Sequence, residues 1–132
     1  MKKIAVIIPI FIFLTLISCE ESDPVVGSDN DTTIPNLSFV IDTTYLDMAN
    51  SRLIVKGTVK NNGRSKVTSP WYVECQFYTN SSKTIKLGGS YTQIGVPLSY
   101  SESTFWTITY SSSNVDVTNY PNFTVGNLRG IY

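Results

Sequence analysis

Apolar and polar residues alternate along most of the chain from residue 36 onward. In residues 53–60, Leu, Val, Gly and Val occupy every second position, and the positions between them are largely polar. In residues 71–78, Trp, Val, Cys and Phe alternate in the same way with Tyr, Glu, Gln and Tyr. This period of two is typical of strands that bury one face, so each segment predicts a strand with a defined inner side.

Shorter stretches of the same kind predict the remaining strands. They lie at residues 37–41, 84–96, 105–110 and 123–132. Gly88-Gly89 makes residues 84–96 either one broken strand or two short ones. Turn residues such as Asn61-Asn62-Gly63 separate the strands about every 8–12 residues, and good helix formers are scarce. Residues 36–132 therefore predict an all-β domain, an immunoglobulin- or fibronectin III-like β-sandwich of about seven strands.

The first 18 residues follow a different pattern. Lys2 and Lys3 are basic, residues 4–17 are apolar apart from Thr15, and the small Ser18 precedes Cys19. This order is typical of a cleaved secretory signal helix. The alternative is a membrane-spanning anchor, but fourteen helical residues rise only about 21 Å, less than the hydrocarbon core of about 30 Å. We therefore predict a signal peptide over residues 1–18.

The residues around the predicted cleavage point carry a resemblance. Leu16-Ile17-Ser18-Cys19 resembles the lipobox of bacterial lipoproteins. The resemblance implies cleavage before Cys19, a diacylglyceryl thioether on its sulfur, and usually an acyl chain such as palmitate on the new amine. Two or three chains hold a protein firmly on a membrane. We expect a lipid-anchored protein of the cell envelope, at the outer membrane and either periplasmic or surface-exposed.

Residues 19–35 contain Pro, Gly and small polar residues without a period, which predicts the lipidated cysteine followed by a flexible tether. The acidic run that starts at Glu20 has two interpretations. It is a solvated part of the tether, or it is a sorting signal, because it resembles the surface-export signal of Bacteroidota lipoproteins. Its carboxylates do not have the spacing of a calcium loop.

Three segments of the predicted domain carry a second resemblance. Residues 53–63 read Leu-Ile-Val-Lys-Gly-Thr-Val-Lys-Asn-Asn-Gly, residues 73–78 end in Phe-Tyr, and Leu98 precedes Ser101-Glu102-Ser103. Together they resemble the FxLYD domain and its immunoglobulin-like relatives over about residues 37–132. The resemblance implies an extracytoplasmic accessory or binding module without catalytic residues. Gly57 in mid-strand predicts a close neighbour, and we expect Trp71 to occupy that space.

Composition excludes several kinds of chemistry. The chain has no histidine, which is the commonest general base and metal ligand. Removing Lys2 and Lys3 from ten basic residues leaves eight against ten acidic residues, a net charge of −2 with no basic cluster. We therefore expect no metal, no cofactor and no nucleic acid partner. Glu74, Glu102 and Asp116 have no spacing that brings two carboxylates together, so we predict that the protein is not an enzyme.

Cys75 has two interpretations. It is a reactive thiol, or it is a small core residue on the apolar side of its strand, which the missing histidine and the absence of a nearby cation favour.

The exposed aromatic residues are the candidate ligand-binding surface. Tyr72 and Tyr78 alternate with the predicted core residues, and either Phe105 or Trp106 must also face outward. We name Tyr72, Tyr78 and Phe105 as this surface. The alternative is that the tyrosines only pair across strands on an exposed sheet.

Two functions remain open at this point. The first is a membrane-anchored, non-catalytic binding or adhesion module for an unidentified protein or glycan. The second is a structural or accessory subunit of an envelope complex. An exposed aromatic cluster would favour the first, and a long unprotected edge strand would favour the second.

Overall fold

The computed structural model describes residues 32–132, which form six strands. The strands are β1 (Leu37–Asp47), β2 (Arg52–Asn61), β3 (Trp71–Tyr78), β4 (Lys86–Ile94), β5 (Ser103–Tyr110) and β6 (Thr124–Ile131). A short 3₁₀ turn, Val117–Asn119, lies between β5 and β6. The predicted signal peptide (residues 1–18) and Cys19 lie outside the described residues.

The strands form two antiparallel sheets of three strands each around one apolar core. One sheet has the order β1-β2-β5 and the other has the order β4-β3-β6. The connections β1–β2 and β3–β4 are hairpins, and the other three cross from one sheet to the other. The predicted all-β sandwich is thus confirmed.

The described residues contain six strands where about seven were expected, because β4 runs without a break through Gly88 and Gly89. Each glycine lies under a side chain of another strand: Gly88 under Tyr110 of the opposite sheet, and Gly89 under Gln76 of the adjacent β3. A Cβ built on Gly88 would lie 2.6 Å from Tyr110 Cε2, and one on Gly89 would lie 2.9 Å from Gln76 Nε2. These glycines provide clearance inside a strand and do not end it.

The core contains the alternate residues of β2, β3 and β5, as the sequence pattern predicts. In β3 the buried apolar residues are Trp71, Val73, Cys75 and Phe77. The Phe77 ring stacks on Tyr110 and Phe123, with ring centroids 5.2 Å and 5.9 Å apart. Because Tyr110 belongs to the opposite sheet, these rings join the two layers of the sandwich.

Gly57 provides space for Trp106, so the expected contact with Trp71 is wrong. A Cβ built on Gly57 would lie 2.4 Å from the Trp106 ring and 2.1 Å from the carbonyl oxygen of Val40. Gly57 and Trp106 are direct partners in the β2–β5 register, whereas Trp71 belongs to the other sheet. The mid-strand glycine is required, but its large neighbour comes from the adjacent strand.

Asn61 holds the turn after β2. The side chain is buried, and its Nδ2 donates to the carbonyl oxygens of Ser65 and Leu98, both at 2.9 Å. Its Oδ1 accepts from the Gly63 amide at 2.9 Å. Val67 and Leu98 exchange two backbone hydrogen bonds of 3.0 Å. This network fixes the β2–β3 and β4–β5 connections, which both cross between the sheets at the same end of the sandwich.

Residues 32–34 pack against β6, although the sequence places them in the tether. Ile34 is 6% exposed and its amide donates to the Gly130 carbonyl at 2.8 Å. The Tyr132 amide donates to the Thr32 carbonyl at 3.2 Å. One isolated apolar residue among polar ones has no period, and so the sequence does not predict this pairing.

Candidate functional site

The outer side of the sheet β4-β3-β6 carries the candidate site, and we call it the β3 face. Its central row consists of the outward residues of β3, which alternate with the core residues: Tyr72, Glu74, Gln76 and Tyr78. At about 3.4 Å per residue, Tyr72 and Tyr78 lie about 20 Å apart along the strand. The face therefore has two ends, which differ in chemistry.

Aromatic residues line one end of the β3 face, which we call the tyrosine end. Tyr72 and Tyr91 meet edge to face, with ring centroids 5.8 Å apart and an interplanar angle of 82°. Tyr91 and Tyr132 are exposed, and with Ile131 they surround a depression of about 240 Å³. This is an exposed aromatic cluster of the kind that favours ligand binding.

An ion pair crosses the middle of the face. Glu74 and Arg129 are direct partners in the β3–β6 register, and Arg129 Nε donates to Glu74 Oε1. Glu74 is 8% exposed, whereas nearly half of the Arg129 side chain is exposed. A carboxylate is rarely buried without a partner, so this pair is part of the structure of the sheet.

Beyond the ion pair, an open groove of about 420 Å³ crosses the face. Its floor is Gln76, whose cross-strand partners are Gly89 on β4 and Gly126 on β6. Because neither glycine has a side chain, the row Gly89–Gln76–Gly126 across the three strands carries only one side chain. The row on either side of it on this face carries three. Gln76 Oε1 is buried and accepts no hydrogen bond from any residue between 32 and 132.

The far wall of the groove contains Tyr78, Lys86 and Asn127. Asn127 lies where β6 has one extra residue opposite β3, and its φ of 53° is in the left-handed region that Asn tolerates. Its Nδ2 donates to the Tyr78 hydroxyl at 3.1 Å. The bulge thus turns an amide side chain toward the groove and fixes the Tyr78 ring.

The three sequence-predicted surface residues do not lie together. Tyr72 and Tyr78 lie at opposite ends of the β3 face. Phe105 is 81% exposed on the outer side of the other sheet, where its cross-strand neighbour is Thr58. Residues of β5 alternate between the core and the surface, and because Trp106 faces the core, its neighbour Phe105 faces outward. Phe105 therefore belongs to a separate surface from the tyrosines.

Sequence reasoning missed Tyr91, Lys86 and Arg129. Each lies opposite an outward residue of β3, but on strands that are distant in sequence. Their strand assignments could be predicted, whereas the register that brings them beside Glu74 and Tyr78 could not. The only signal in the sequence that this part of the sheet is unusual was the pair of glycines before Tyr91.

Cys75 is a core residue in the structure. Its side chain is fully buried, and burial raises the pKa of the thiol to about 12, with a further contribution from the charge of Glu74. A thiol with such a pKa stays protonated at neutral pH and is a poor nucleophile. Cys19, the predicted lipid attachment site, lies outside the described residues.

The other two carboxylates considered from the sequence also have local structural partners. Glu102 Oε2 accepts from the Ser99 amide at 2.7 Å. Hydrogen bonds from Thr118 hold the pKa of the Asp116 carboxyl below its usual value. Among residues 32–132 there is no cluster of metal-ligating side chains. In the same range, no helix is long and apolar enough to span a membrane.

Comparison with protein-family models, with curated proteins and with solved structures gave no match to this chain. The resemblances to the lipobox and to the FxLYD domain therefore stay predictions from the residues that carry them.

Proposed function

We propose that this chain is a lipid-anchored lipoprotein of the bacterial cell envelope and that its sandwich is a non-catalytic binding module. The lipobox Leu16-Ile17-Ser18-Cys19 supports the anchor. The observation that supports binding is the β3 face, where an exposed tyrosine cluster adjoins an open polar groove. A groove of this size lies within the range of ligand sites in proteins.

The anchor is tested by Cys19→Ala. We expect this change to abolish incorporation of labelled fatty acid and to release or mislocate the protein, because the sulfur that carries the lipid is gone. Cys75→Ala is the matched control, since its thiol is buried in the domain, and it should keep the label. A wild-type protein without acyl label that stays in the membrane fraction would contradict the lipoprotein assignment.

The binding role is tested with Tyr91→Ala. Tyr91 is 61% exposed, so its removal should change the surface with little effect on folding. Phe105→Ala removes an even more exposed ring from the other sheet and is the control. We expect the full chain to retain ligands from a panel of glycans and envelope proteins, and only Tyr91→Ala to lose them. Retention that is the same in both variants would place the binding site elsewhere.

The same material tests the absence of catalysis. We expect no turnover of peptidoglycan, peptides or polysaccharides, because the hydroxyl side chains have no histidine to activate them. Turnover that Glu74→Gln or Glu102→Gln abolishes would show an enzyme instead.

The β1 edge supports the second candidate, an accessory subunit. No residue between 32 and 132 pairs with the outer edge of this eleven-residue strand, and such edges accept strands of other proteins. The register shift between Ile41 and Thr43 works against it, because bulges protect edges. Crosslinking in membranes followed by mild extraction separates the two roles, since an accessory subunit gives one constant partner.

A further inference from the structure

Three basic residues lie around the groove of the β3 face. Lys86 and Arg129 line the groove, and a Cβ built on Gly126 would lie 3.1 Å from Lys83 Nζ, which places a third cation beside it. Glu74 is the one carboxylate in the groove lining, and Arg129 already binds it. Residues 32–132 carry eight basic and five acidic side chains, a net charge of +3, so the described domain as a whole is cationic, and Lys83 and Lys86 add to this charge at the groove. A local field of this sign attracts anionic ligands.

The groove also presents unused hydrogen-bonding capacity. Gln76 Oε1 has no donor among residues 32–132, but this atom is covered and offers no contact to a ligand in the groove. Arg129 uses Nε for Glu74, and its two terminal amino groups add donors on the exposed part of the side chain. A ligand with acidic acceptors matches the exposed donors of Arg129 and Lys86.

The tyrosine end adds flat rings to the same face. Tyr91 is 61% exposed and Tyr132 is 52% exposed, and both border the depression next to the ion pair. Rings of this kind have an apolar face and a polar hydroxyl, which suits sugar rings with C–H faces and hydroxyl edges. An extended ligand can therefore contact the rings and the groove together, along about 20 Å of β3.

A peptide fits this face less well than a sugar polymer. The backbone groups of β3 already pair with β4 on one side and β6 on the other, so they offer nothing to a peptide backbone. Peptides are otherwise recognised through apolar grooves, aromatic-lined grooves or clusters of cations, and the polyglutamate probe below tests the last of these modes.

We propose that the β3 face binds an acidic oligosaccharide, with sugar rings on the tyrosine end and a carboxylate or sulfate group at Lys86 and Arg129. This inference rests on the proposed binding function and names its ligand class. A sugar with a carboxylate and a sugar with a sulfate share an anionic group on a hydroxylated ring, and the test below distinguishes the carboxylate from the sulfate.

The test uses the full chain in mild detergent and three acidic probes: oligogalacturonate, hyaluronan oligosaccharides and chondroitin sulfate. Methyl-esterified oligogalacturonate is the neutral counterpart, and polyglutamate carries the charge without sugar rings. We expect at least one acidic oligosaccharide to bind, about tenfold more tightly than its neutral form or polyglutamate, and more weakly as ionic strength rises. Chondroitin sulfate carries uronate carboxylates as well as sulfates, so much tighter binding of this chain than of hyaluronan identifies sulfate, and equal or tighter binding of the two unsulfated probes identifies carboxylate.

The matched variants are Lys86→Glu and Lys60→Glu. Both lysines are exposed on strands, but Lys60 lies on β2 in the other sheet. We expect Lys86→Glu to weaken binding about tenfold and Lys60→Glu to leave it within about twofold, because only the first reverses charge at the groove. Tyr91→Ala should weaken binding of the same probe, and thermal melts should show that all variants are folded.

The inference fails if none of the three acidic probes binds, if the neutral ester binds equally well, or if polyglutamate binds as tightly as the sugars. It also fails if Lys86→Glu and Lys60→Glu behave alike. Binding of a neutral glycan or of a protein that Tyr91→Ala abolishes and Lys86→Glu does not change would overturn the ligand class while the binding module itself stands.

Discussion

Trp71→Ala is the sharpest test of the sandwich core. Trp71 begins β3 and is fully buried, and its indole N–H donates to the Val96 carbonyl at 2.9 Å. Its ring also lies near Gly130 of the neighbouring strand, where a built Cβ would be 3.4 Å from Trp71 Cζ3. The substitution removes the largest fully buried side chain of the domain and leaves a cavity between the sheets.

The size of the effect follows from burial. Replacing a buried Trp or Phe by Ala costs about 3–5 kcal/mol. We add nothing for the lost hydrogen bond, because the net contribution of one such bond is only about 1 kcal/mol and lies within the width of this range. Since domains of this size are stable by about 5–15 kcal/mol, the variant should lose a large share of its stability, and its melting temperature should fall by at least about 12 °C.

The measurement is urea unfolding followed by far-UV circular dichroism, with Phe105→Ala as the control. Phe105 is 81% exposed, so its loss should change the free energy of unfolding by less than about 0.5 kcal/mol. Trp71→Ala should unfold at much lower urea or show no folded baseline. Equal midpoints for the two variants would refute the assignment of Trp71 to the core and reverse the faces of β3.

Three further predictions use the same unfolding assay or thiol labelling. Gly57→Ala should lose about 1–3 kcal/mol, because its Cβ would overlap the Trp106 ring, and an unchanged midpoint would contradict the close contact. Asn61→Leu should lose about 1–3 kcal/mol, because it removes the hydrogen bonds to the Ser65 and Leu98 carbonyls and the acceptor of the Gly63 amide, whereas the same change at the exposed Asn62 should not. Cys75 should resist thiol reagents until urea unfolds the chain. Burial raises the pKa of the Cys75 thiol to about 12 in the folded state, above the unfolded value of about 8.5. The stability that the buried, protonated thiol contributes is therefore present below about pH 8.5 and is lost as the pH rises toward 12. Cys75→Ala should remove this loss.

The sequence predicts the strands better than it predicts their neighbours. In β3 the alternation of Trp71 to Phe77 with outward residues is local, and one buried face is enough to produce it. The partner of Gly57 depends on the β2–β5 register, which pairs it with Trp106 across about 50 residues of chain, and no local pattern contains that information.

The candidate site shows the same difference between what the pattern of one strand predicts and what only the register between strands determines. Tyr72 and Tyr78 could be identified as outward residues because they belong to one strand with a clear period. The groove between them could not, since it exists only where Gly89 and Gly126 flank Gln76 from two other strands. Glycines in strands look like breaks in a sequence, and here two of them form a trough on a continuous sheet.

The chain enters the described domain at one end of the β3 face. Thr32 bonds to Tyr132 at the tyrosine end, and Lys86 lies at the opposite end of the face, about 20 Å along β3. The chain that leads from Cys19 therefore joins the domain beside the tyrosines. With a lipid on Cys19, the cationic groove would be the part of the face farthest along the sheet from the attachment point. If the proposed acidic oligosaccharide lies along β3, its sugar rings contact the end of the face beside the chain entry and its anionic group lies at the other end.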